Sequence, residues 1–213
     1  MVKQTMGKLT RSIISEILIG MGDSHLDNFE FFCAATCRIP GATAYGLVNE
    51  NSDTRAREAF KGFLSAFPKY LPLLCVGEVD CNSLPWRHGQ TKSPESFIYD
   101  SIENLFSFLD EFNRSFILPS VTLPTVHSFK ELTIRNYVTS DKKERTLLVG
   151  LYNALLETKA KEYGHKYLDI TSQTIGPDGM IDQSFVKAHD DVHLNRFKMY
   201  DIVRNRLNEV VNV

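Results

Sequence analysis

Cysteine is scarce in this chain: Cys33, Cys37, Cys75 and Cys81 are spread over 213 residues with no pair of Cys-x-x-Cys clusters. That spacing argues against a structural zinc site and favours reduced, partly buried thiols. Net charge is nearly absent too, at -2 from 24 Lys and Arg against 26 Asp and Glu. Nothing electrostatic therefore draws the chain to nucleic acid or to an anionic membrane surface. Long apolar runs are missing. The first one, Ile13 to Met21, is interrupted by Ser15 and Glu16, falls short of the roughly 20 residues that cross a bilayer, and is followed by no small-residue cleavage site. The expected location is the cytoplasm. Repeats, low-complexity tracts and composition shifts that would mark a linker are also lacking, and the 43% hydrophobic content suffices for one core. One domain over residues 1–213 is the simplest organisation.

What is present is an alternation of strand-length apolar runs with longer amphipathic stretches, the pattern of a parallel sheet covered by helices on both faces. The candidate strands are Ile13 to Met21, Tyr70 to Val76, Phe116 to Val121 and Tyr167 to Ile170. Between the second and third, Ser93 can cap a helix and Pro94 take its first position, with Ile98, Ile102, Leu105, Leu109 and Phe112 at helical spacing. A further helix is predicted from about Lys142 to Tyr163, capped by Asp141, with Leu147, Leu148, Leu151, Leu155 and Leu156 on its buried side and Gly164 just past its end. The last helix is expected from near Leu194 toward Leu207. Residues 122–140 read as a long irregular excursion.

In an open parallel sheet, ligands bind beyond the carboxyl ends of the strands, so the residues after each strand carry the chemistry. After the first strand stands Gly22-Asp23-Ser24-His25. A tight turn opened by glycine can lift a serine hydroxyl clear of the strand and leave its N–H facing the same pocket, as a nucleophile with an oxyanion donor requires. Ser24 could equally cap a helix starting around Asn28. Before the last helix stands Asp190-Asp191-Val192-His193. A carboxylate three residues before a histidine can hold one imidazole nitrogen while the other faces a serine, and both loops are expected on the same edge of the sheet.

These blocks, together with Gly77-Glu78-Val79-Asp80 after a middle strand, resemble in order and spacing the SGNH hydrolases, the GDSL-type esterases and lipases. The resemblance covers nearly the whole chain. It implies a three-layer α/β/α sandwich with a flavodoxin-like parallel sheet. It also implies a catalytic triad of Ser24 as nucleophile, His193 as base and Asp190 as its orienting acid. The string GEVDCN is similar to a bacterial subgroup with Gly-Glu-Ile-Asp-Cys-Arg, often associated with surface polysaccharides, but Asn82 stands where that subgroup has arginine. The family's third block carries an asparagine that donates to the oxyanion. Val79 occupies that position and cannot donate. The expected oxyanion hole is therefore the N–H of Ser24, the second-block glycine taken as Gly46 with Gly41 as rival, and the side chain of Asn82, which could equally form a turn with its own backbone.

Other residues near these blocks have plainer readings. His189 and His193 are four apart and could face one metal, but no third ligand is spaced with them, so no metal and no cofactor is expected. His25, Glu78 and Asp80 are candidate substrate contacts; Glu78 and Asp80 could instead hydrogen-bond loop backbone. Trp86, Tyr45 and His88 could form a sugar-stacking wall or simply pack. The expected reaction is hydrolysis of a small ester, an O-acetyl group on a carbohydrate, through an acyl-serine. The alternatives are an O-acyltransferase acting on a sugar hydroxyl and a non-catalytic carbohydrate-binding module. The partner is a small-molecule or glycan ester; the oligomeric state stays open.

Overall fold

The protein is seen in a computed structural model that describes residues 17–87, 90–125, 140–188 and 191–211. At its centre β1 (Leu18–Gly22) is buried at all five positions, as a strand covered on both faces must be. β2 (Ala35–Arg38), β3 (Leu71–Cys75), β4 (Ile117–Pro119) and β5 (Lys166–Leu168) complete a five-stranded sheet in the order β2-β1-β3-β4-β5. Every pairing is parallel. Such pairing requires crossovers, here α1 (Ala56–Ala66), α2 (Glu78–Asn82), α3 (Pro94–Leu109) and α4 (Lys142–Glu162), with α5 (Arg196–Val211) closing the chain. The result is the three-layer α/β/α sandwich with flavodoxin-like strand order.

The caps behave as their residue types dictate. Ser93 accepts from Ser96 N–H at the start of α3, with Pro94 in the first turn. Asp141 and Glu144 form a reciprocal capping box on α4, and Gly164 follows that helix at φ +72°. α5 starts at Arg196, with Asn195 Oδ1 accepting from Phe197 N–H at 3.1 Å. On α4 the buried face differs from the expected one. Leu147 is 68% exposed, while Leu148, Val149, Tyr152 and Leu156 are buried.

Four elements depart from the sequence reading. β2, α1 and α2 were not among the expected elements. The helix expected near Asn28 is instead a pair of 3-10 turns, Ser24–Asn28 and Glu30–Phe32. Residues 126–139 of the expected irregular excursion lie outside the described residues. Among the described residues no helix is long and apolar enough to cross a membrane.

From β1 the sheet runs one way to β2 and the other way to β3, so the crevice at their carboxyl ends is the topological switch point. Two glycines let the chain turn there. A Cβ on Gly22 would lie 2.1 Å from the Cys75 carbonyl oxygen. Gly77, at φ +118°, would drive a Cβ to 2.6 Å from the Tyr152 ring.

Candidate active site

The turn after β1 is organised by Asp23. Its N–H donates to Cys75 O at 3.0 Å, and its Oδ1 accepts from His25 N–H at 2.8 Å. Asp23 thereby caps the first 3-10 turn, the task that Ser24 would have under the plain reading. Ser24 is released from capping. It occupies the first position of that turn, half-exposed, where its own N–H has no intrahelical acceptor.

The facing loop comes from the other end of the chain. Asp191 Oδ1 accepts from His193 N–H at 2.9 Å and meets His193 Nδ1 at 2.6 Å. Its Oδ2 pairs with Lys187 at 3.3 Å, and its carbonyl accepts from Thr125 Oγ1 at 2.6 Å. Burial works to raise the Asp191 pKa, but the hydrogen bonds from His193 outweigh it, and the carboxyl is held below its ordinary value. With Nδ1 engaged, Nε2 is the nitrogen of His193 left for proton transfer. Asp190 and His189 lie outside the described residues. The carboxylate seen on the imidazole is Asp191, whose spacing of two is the span over which Asp side chains habitually fold onto backbone N–H groups.

His25 joins the two loops. Its ring stacks on His193 with centroids 4.8 Å apart, and its Nε2–H donates to Val192 O at 3.2 Å. Its Nδ1 lies 3.4 Å from Asp23 Oδ1 and 4.0 Å from Glu78 Oε2. It is buried, and an edge of it also lines the open cleft beside the two loops. Glu78 is half-buried at the start of α2; burial raises its pKa, and the neighbouring His25 works against that.

Asp80, another candidate substrate contact, is fully buried, and its two oxygens accept from the N–H groups of Ala44 and Tyr45 at 2.9 and 2.8 Å. That is the loop-holding role. Burial pushes its pKa up to about 6, against those two hydrogen bonds. Gly46 N–H donates to Thr43 Oγ1 at 2.9 Å. Asn82 is buried with its Nδ2 donating to Glu78 Oε1 at 3.3 Å. Trp86 donates from Nε1 to Cys81 O at 2.7 Å and Tyr45 stacks on Phe97 at 4.5 Å, so both pack; His88 lies outside the described residues. The four cysteines are free thiols. Among the described residues no three His, Cys, Asp or Glu side chains converge on a metal position.

Two cavities meet this junction. An open cleft of about 550 Å³ is lined by His25, Asn28, Arg38, His193, Arg196 and Phe197 among others. A cavity of about 10 Å³ lies beneath, between Asp23, His25, Glu78, Cys75, Val76 and Val121.

Comparison with known proteins bears on the fold. No protein-family sequence profile and no curated protein sequence matches the chain. Solved structures do. A Bacteroides fragilis protein assigned as an acylhydrolase is 17% identical with a TM-score of 0.64, over 95% of this chain and 89% of that one. A GDSL-like lipase from Bacteroides thetaiotaomicron is 16% identical with a TM-score of 0.62, over 96% and 92%. An acetylxylan esterase from Geobacillus stearothermophilus is 14% identical with a TM-score of 0.58, over 94% and 96%. The chain therefore has the fold of the SGNH hydrolases.

Proposed function

We propose that this protein is a serine esterase that removes a small acyl group, most simply acetyl, from a carbohydrate hydroxyl. The observation that carries the reading is the Asp191–His193 pair on the loop before α5, stacked through His25 against the turn that presents Ser24. In this mechanism Ser24 Oγ attacks the ester carbonyl while His193 Nε2 takes its proton, and Asp191 holds the resulting imidazolium. The proton then passes to the leaving alcohol, and water resolves the acyl-serine. No cofactor enters these steps.

The oxyanion would be met by the Ser24 N–H. Gly46 and Asn82 remain the proposed further donors, each exchanging its present acceptor, Thr43 or Glu78, for the developing charge.

Ser24→Ala is expected to keep its melting temperature while losing at least about a thousandfold in kcat on an acetyl ester. Wild type should label with a fluorophosphonate at Ser24. A wild-type protein that neither labels nor turns over would support the binding-module alternative. Asp190→Asn and Asp191→Asn, measured side by side, identify the orienting acid. The geometry expects the larger fall at Asp191, about a hundred- to ten-thousandfold in kcat.

A further inference from the structure

The segments that follow Ser24 and His193 each place an exposed aromatic ring beside the cleft. Phe31 follows the Ser24 turn and is 39% exposed; Phe197 lies in the first turn of α5, four residues past His193, and is 71% exposed. Their centroids are 5.7 Å apart. Arg196 lies over both, 5.1 Å from the Phe31 centroid and 5.3 Å from that of Phe197, and its guanidinium is fixed by Glu30 at 3.0 Å. Forty-one hydrophobic side chains are buried among the described residues, yet this pair is left partly in water beside the cleft.

We propose that Phe197, backed by Phe31 and Arg196, is the stacking platform for a sugar ring of the substrate's alcohol moiety. The inference takes its cleft and its carbohydrate leaving group from the esterase reading and adds the side chains that hold the sugar ring. A pyranose offers an apolar C–H face for an aromatic ring and a girdle of hydroxyls. Around Phe197 the cleft supplies partners for that girdle in Asn28, Asn195, Lys187 and the ion-paired Arg38 and Asp27. Such a mixed lining suits a sugar and penalises a long acyl chain, whose entry would strip water from these polar groups without replacing it. The volume of about 550 Å³ lies within the range of ligand clefts.

Direct binding separates this inference from the one on which it builds. Using Ser24→Ala to prevent turnover, calorimetric titration with acetylated tetrasaccharides of glucose, xylose and N-acetylglucosamine should give saturable binding by at least one. Phe197→Ala in that background should weaken it about tenfold, and Phe197→Trp should retain it. The side chain is exposed enough for both variants to keep the parent melting temperature. Binding by none of the sugars, or binding indifferent to Phe197, overturns the platform. So does Phe197-dependent binding of phosphatidylcholine vesicles with no sugar bound, which would assign the rim to lipid. If wild type hydrolyses acetyl esters but no sugar binds, the platform alone fails. If Phe197-dependent sugar binding holds while wild type shows no turnover, the esterase reading fails instead.

Discussion

His25 combines burial with two carboxylate neighbours, and the balance between them makes the site sensitive to alkali. Burial works to lower its pKa, but Glu78, then Asp23 and the Val192 carbonyl, raise it to about 9. The imidazolium therefore bridges Asp23 and Glu78 on one side and the loop of His193 on the other. A histidine whose folded pKa lies above its unfolded value of about 6.5 stabilises the fold fully below that pH. This contribution declines as pH rises from about 6.5 and is gone above about 9. The melting temperature of wild type is accordingly expected to fall across that window, and His25→Gln, which can still donate to Val192 O, to flatten the fall. Thermal melts at half-unit pH steps measure it; an equally steep fall in the variant would place the titrating group elsewhere. The burial of His25 could not be read from a single position in a polar tetrapeptide.

At the level of elements, the site exists because β1 and β3 end in close contact. The Cβ of Gly22→Ala would meet a backbone carbonyl, which no rotamer can move aside, so the strands must part. A loss of about 3 kcal/mol in urea unfolding is expected, with esterase activity lost along with it; a variant as stable as wild type would show that the strand ends can separate freely. The long helices were legible because their ends carry chemical signals: Ser93-Pro94 before α3, and Asp141 with Glu144 before α4. β2 was not, since Ala-Thr-Cys-Arg on a half-exposed edge shows no apolar run. The short 3-10 turns escaped notice because Asp23, not Ser24, is the cap, which begins the first of them at Ser24 itself. Two adjacent aspartates differ in sequence by nothing but their spacing to His193; Asp191 is seen on the imidazole, and Asp190 lies outside the described residues.

Across the whole molecule, the strand order 2-1-3-4-5 puts the chain's early and late chemistry at one crevice. All five strands are complete by Leu168, yet Asp191 and His193 arrive only afterwards, on the segment that leads into α5. Between the two lies a tight reversal in which Gly176 N–H bonds Met180 O at 2.7 Å and Gly179 sits at φ +76°. Its exposed tip, at Asp178 and Gly179, is the kind of site where chains tolerate a cut. On the proposed mechanism the protein is thus divisible into a part that holds the electrophile's attacker and a part that holds its proton acceptor. Expressed separately, residues 1–178 and 179–213 should each be inert toward an acetyl ester, and mixing them should restore turnover that saturates with the concentration of the shorter piece. Catalysis would then report the meeting of two molecules, and whatever is fused to the fragments could be followed by the rate at which acetate appears.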